Sequence, residues 1–145
     1  MKYLFVPKRM AVIFSLLFFI TSCRVSLVPE YSAQLETQIA NAAKANDRLY
    51  IDMLDVLPAQ RTYDTFAVRY NDIEAEINSI QLKNEARKKN NDFMVIIKNL
   101  KDAFTEAKNY HKTNRTISNG EIKAYQATLA GFWKPLYIAE KALKD

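Results

Sequence analysis

Between residues 63 and 80 the side chains Tyr63, Phe66, Tyr70, Ile73, Ile77 and Ile80 recur at intervals of 3, 4, 3, 4 and 3. On a helix of about 3.6 residues per turn this spacing forms one continuous apolar stripe, whereas a strand alternates its faces every second residue. A one-sided stripe must be covered by other helices. Leu35, Ile39, Ala42, Leu49, Met53 and Leu57 mark a first helix over residues 30–56, and the clean stripe belongs to a second over 62–89. Phe93, Ile96, Ile97, Leu100, Phe104 and Ala107 mark a third over 92–112. Ile122, Tyr125, Leu129, Phe132, Leu136 and Leu143 mark a fourth that begins at 118. Asn46 falls where the first stripe calls for an apolar residue. It is expected at the edge of the stripe, the other reading being a polar residue that sets helix register.

Turn residues are too scarce for a β-sandwich: Gly120 and Gly131 are the sole glycines, and beyond residue 29 the prolines are Pro58 and Pro135. Pro58 should stop the first helix, and Asp92 is the expected N-cap of the third. Ser118-Asn119-Gly120-Glu121 has the form of a capping box. Pro135, inside the fourth pattern, is expected to kink or split that helix. No glycine or proline separates the second and third helices, so phase decides whether they form one rod. At about 100° per residue their stripes point roughly 160° apart. A straight rod would expose one of them, whereas a reversal near Asn90-Asn91 brings both into one core. The expected fold is all-α, an antiparallel up-down-up-down four-helix bundle about 30–40 Å tall.

The first 22 residues differ from the rest. Lys2, Lys8 and Arg9 precede an apolar run, residues 10–20, that is broken only by Ser15. As a helix this run spans about 16 Å, too short for a bilayer core of about 30 Å and suited to a secretion signal. Ile20-Thr21-Ser22-Cys23 follows. This tetrad resembles the lipobox of bacterial lipoproteins, and the resemblance covers the first 23 residues. It implies that a diacylglyceryl group is attached to Cys23 and that the signal, residues 1–22, is cut off before it. Residues 23–29 then form a lipidated cysteine with a short tether, and residues 30–145 form the bundle domain. By the same resemblance, Arg24 in place of an aspartate favours the periplasmic side of the outer membrane if the cell is Gram-negative. Arg24 to Pro29 reach at most about 20 Å, so the domain must sit close to the lipid surface.

Charge narrows the choice of partners. Lys and Arg total 21, three of them in the signal, which leaves 18 against 16 acidic residues, a balance of +2. That balance gives no reason to invoke nucleic acid. Residues 23–82 carry −4 and residues 83–145 carry +6, which suggests complementary surfaces within one domain. In the expected topology the second and fourth helices return to the membrane. Arg87, Lys88, Lys89, Lys141 and Lys144 would then form a membrane-facing basic cluster.

Motifs for chemistry are sparse. His111 is the single histidine, and it is expected as a charge partner at the end of the third helix rather than as a haem or metal ligand. Asp72 and Glu76 share a helix face without partner ligands and are expected in solvent. No G-x-S-x-G and no glycine-rich phosphate loop occurs. No cofactor or metal is expected. Most of the aromatic residues are expected in the core or with hydroxyls at its rim; the other reading for Trp133 and Tyr137, one turn apart around Pro135, is an exposed partner site. The leading functional expectation is a non-enzymatic cell-envelope lipoprotein, a membrane-tethered structural or protein-interaction module with an envelope protein as partner. The alternative is a bundle that carries an apolar ligand or cofactor, opened near Gly131 and Pro135.

Overall fold

The computed structural model describes residues 28–144, so Cys23, the signal and most of the tether lie outside the described residues. Among the described residues there are four α-helices and no strand. They are α1 (Ala33–Asp55), α2 (Tyr63–Glu85), α3 (Asn91–Asn114) and α4 (Asn119–Ala142), with a short 3-10 helix, Pro58–Gln60, between α1 and α2. Each helix packs along its neighbours in sequence, and α4 closes the ring on α1. The chain reverses between α2 and α3, as their opposed phases require. No helix among the described residues is long and apolar enough to cross a membrane.

Local signals account for most of the boundaries. The Ser32 side chain accepts from the Leu35 N–H at 3.2 Å and starts α1, and Thr62 accepts from the Thr65 N–H to start α2. The Ser118–Glu121 capping box is complete, with the Ser118 N–H donating to Glu121 Oε2 at 2.8 Å. Asp92 is not the N-cap of α3. That place belongs to Asn90, whose side chain donates instead to the Asn84 carbonyl, and Asp92 lies in the first turn. Pro135 does not split α4, which runs unbroken to Ala142. The carbonyl left without a donor is that of Gly131; both Gly131 and Pro135 lie on the exposed side, where water is available.

The stripes form one core. Ile39, Leu49, Met53, Tyr70, Ile77, Ile97, Leu100, Phe104, Leu129 and Leu136 are among its buried members. Several positions depart from the expected pattern, and Tyr63, Ile96, Tyr125 and Leu143 are only half-buried. Leu57 is 69% exposed, because α1 has already ended at Asp55 and the chain turns away. In α4 the larger ring of Trp133 takes the core position, and its neighbour Phe132 is only half-buried. Asn46 lies inside the α1 stripe, 2% exposed, rather than at its edge.

One node ties all four helices together at the end where Val28 enters. The Glu140 side chain of α4 is fully buried, and the Arg87 side chain is 13% exposed; Arg87 Nη1 donates to Glu140 Oε2 at 2.7 Å. Glu140 Oε1 also accepts from the Ser32 N–H at 2.8 Å, which anchors the start of α1. Arg87 donates to Asn84 Oδ1 in α2 and to the Glu30 carbonyl, and its guanidinium lies 5.3 Å from the Phe93 ring of α3. A buried carboxylate is tolerated only when paired and hydrogen-bonded, and here both oxygens are occupied.

Two non-glycine residues adopt left-handed backbone, Lys89 (φ 60°) and Arg115 (φ 63°), the latter at the C-cap of α3. That conformation costs an L-residue about 1–2 kcal/mol and favours glycine. The Arg115 carbonyl accepts from the Tyr63 N–H at 3.1 Å, a bond that glycine would keep. Arg115→Gly and Lys89→Gly are each expected to raise unfolding stability by about 0.5–1 kcal/mol in urea denaturation with unchanged slope. A loss of stability in both would contradict this description of the turns.

Candidate functional site

Two places on the bundle combine polar chemistry with access to solvent. The first is the end of the bundle where Val28 enters, called the tether end after the expected tether. Val28, Pro29 and Glu30 line a shallow depression with Ala86, Arg87, Lys88 and Lys89, and α4 brings Lys141 to the same end. Lys144 stands 3.9 Å from Glu36 and 5.3 Å from the Tyr31 ring. The proposed basic residues therefore share one end of the bundle, but they are not equivalent. Arg87 is not available to a membrane, because the node with Glu140 occupies it. Lys88, Lys89, Lys141 and Lys144 are exposed.

The second place is a groove of about 340 Å³ between α1 and α4, lined by Ala40, Ala43, Asn46, Ala130, Trp133 and Tyr137. Alanines keep the two helices from filling the space between them. Gln126 donates to Asp47 at one end of the groove, and at the other the Tyr137 hydroxyl donates to Glu36 Oε1 at 3.3 Å. Trp133 and Tyr137 do not form an exposed patch. Trp133 is 3% exposed and Tyr137 half-buried, because this side of α4 packs against α1. Two buried polar atoms of the lining, Asn46 Oδ1 and Trp133 Nε1, have no hydrogen-bond partner. The sequence pointed to Trp133 for its place one turn from Tyr137 around Pro135; the signal for Asn46 was an amide inside an apolar stripe.

The far end is occupied by structural hydrogen bonds. Arg61, 4% exposed, donates through Nε to the Val56 carbonyl at 3.1 Å and through Nη2 to the Leu54 carbonyl at 3.4 Å, so it caps the end of α1. Its Nη1 donates to Asn119 Oδ1. His111 is fully buried and is not the charged helix-end residue expected of it. Its Nε2 lies 2.9 Å from the Arg61 carbonyl, which can only accept, so Nε2 carries the proton. Nδ1 then accepts from the Tyr70 hydroxyl at 3.2 Å. Burial favours this neutral form by lowering the ring's pKa, while the bond to the Arg61 carbonyl opposes that shift. Burial also raises the Tyr70 and Tyr50 hydroxyls.

Asp72 and Glu76 are exposed, and Glu76 accepts from Gln38 at 2.8 Å. No group of three or more acidic, histidine or cysteine side chains among the described residues is placed to hold a metal ion. Arg61, Asn84 and Glu140 are the buried polar residues that sequence reasoning missed. Two of them continue an apolar stripe by one turn, Glu140 after Leu136 and Asn84 after Ile80. No family model matches this chain, and comparison with curated proteins and with solved structures found no relative.

The His111 geometry predicts a pH dependence. The folded pKa lies below the ordinary value of 6.5, so the unfolded chain binds the proton first. Stability is full above about pH 6.5 and falls as the pH drops below it. The Glu36 and Glu121 carboxyls, held below their ordinary value of 4.5 first of all by hydrogen bonds from Tyr31 and Tyr110, act only in more acid solution. The melting temperature of residues 24–145 should fall between about pH 7.5 and pH 5.5. His111→Gln, which keeps an acceptor and a donor, should flatten that fall. A flat wild-type profile over this interval would refute the assignment.

Proposed function

We propose that the protein is a lipid-anchored, non-enzymatic module of the bacterial cell envelope, whose bundle stands directly on a membrane and acts by binding another envelope protein. The lipobox-like Ile20-Thr21-Ser22-Cys23 supplies the anchor. The observation that carries the reading is the composition of the tether end, where the entering chain, Lys88, Lys89, Lys141 and Lys144 all meet.

With only residues 24–27 between Cys23 and the first described residue, lipid on that sulfur holds this end against the headgroups. Each buried methylene contributes about 0.8 kcal/mol to such an anchor, and two or more chains make it stable. Lysines near an anionic surface add up to about 1 kcal/mol each. Together these would set the bundle upright, with its helix faces exposed to the periplasm. The buried polar groups support a binding role, since Glu140, Arg61, Asn84 and His111 are engaged in holding the helices together. Arg24 favours the outer membrane of a Gram-negative cell.

Residues 24–145 should bind anionic vesicles at low salt. Replacing Lys88, Lys89, Lys141 and Lys144 with glutamine should weaken that partitioning by about tenfold or more without changing the melting temperature. Arg87 is left intact because the fold uses it. Unchanged partitioning of the quadruple variant would remove the orienting role. Proximity labelling from the anchored protein should recover one reproducible envelope partner, and repeated failure to do so would count against the module.

A further inference from the structure

We propose that the groove between α1 and α4 binds a small uncharged amphiphile, an apolar body bearing a hydroxyl or amide group that pairs with both Trp133 Nε1 and Asn46 Oδ1. This goes beyond the anchored-module reading and does not depend on it. A buried polar atom without a partner is costly, and native proteins leave few of them. Here two belong to residues that line the same groove, and they are complementary in kind: the indole N–H only donates and the amide oxygen only accepts. A group that accepts from one and donates to the other satisfies both, as a hydroxyl or an amide does. A pure hydrocarbon leaves both unsatisfied. The lining also holds the charged Lys134 and Asp47, and a carboxylate, which cannot donate, would leave the Asn46 oxygen unpaired.

The space fits a small molecule better than a protein segment. At about 340 Å³ it lies at the lower end of the range for ligand sites. Hydrogen bonds from Gln126 to Asp47 and from Tyr137 to Glu36 cross from α4 to α1 toward its two ends. The apolar walls, Ala40, Ala43 and Ala130, receive the body of the ligand.

The chain carries a single tryptophan, and it stands in the proposed site, so its emission reports occupancy directly. Residues 24–145 contain every residue of the buried core and suit the test. Titration with octanol should shift Trp133 emission saturably, with one molecule bound. Methoxyoctane, which accepts but cannot donate, should bind about tenfold more weakly, the usual effect of one missing hydrogen bond to a buried acceptor. Asn46→Leu should erase that preference. Ala130→Phe, at an exposed position on the rim, should block both probes while the protein stays folded.

No saturable response of the wild type up to the solubility of octanol would overturn the proposal and leave the two polar atoms to water. So would equal binding of alcohol and ether, or an Ala130→Phe variant that titrates like the wild type. Should Asn46→Leu fail to fold, the alcohol-to-ether ratio and the blocked rim decide the matter between them.

Discussion

The bundle depends at one end on the pair formed by Arg87 and Glu140. A ring of four antiparallel helices joined by short turns can splay where its ends meet, and here three such ends converge: the start of α1, the turn from α2 to α3, and the last turn of α4. Glu140 holds the first through the Ser32 N–H and the second through Arg87, and the Arg87 guanidinium rests on Phe93 of α3. Desolvating a carboxylate costs several kcal/mol unless its partners replace water, so an isolated Glu140 could not stay buried. The pair therefore secures the place where the tether enters. For the anchored module proposed above, an orientation imposed through residues 23–29 would reach the bundle only if its first turn is fixed.

The two ends differ in kind. At the tether end a full charge pair is buried. At the far end Arg61 and His111 are satisfied by carbonyls, an amide and a hydroxyl, and no carboxylate takes part in those bonds. Between them, at the α1–α4 seam, Asn46 and Trp133 line the groove and leave an acceptor and a donor without partners. Polar groups inside the bundle thus serve two ends of the structure as fasteners and one seam as a recognition surface. The charge asymmetry along the chain contributes less. Lys108 with Glu74 and Lys144 with Glu36 join the acidic and basic halves, and such partly exposed pairs each add about 0–1 kcal/mol.

The architecture was legible because it follows from short-range periodicity. The 3-4 spacing of the α2 stripe, the phase reversal before α3 and the Ser118 capping box are local features, and each reappears in the fold. What escaped the sequence depends on contacts between distant residues. Arg87 looks like a solvated charge until Glu140, 53 positions away, is placed beside it. His111 looks like a charged helix-end residue until Tyr70 and Arg61 enclose it. Phe132 and Trp133 are adjacent, and the contact with α1 decides which ring turns inward. Glu140 and Asn84 stand in positions the stripes reserve for apolar residues, so their periodicity was visible while their partners were not. Of the candidate site, the tether-end lysines were legible from topology alone. The groove was not, because it exists only where two helices with alanine faces meet.

A double-mutant cycle in urea between Arg87 and Glu140, using Arg87→Met and Glu140→Gln, tests the central claim most directly. Glutamine keeps an acceptor for the Ser32 N–H, so the cycle isolates the charge pair. The structure predicts a coupling of about 2 kcal/mol, with the double variant much less destabilised than the two single losses combined. Losses that add to within about 0.5 kcal/mol would show that the pair does not hold the helices together.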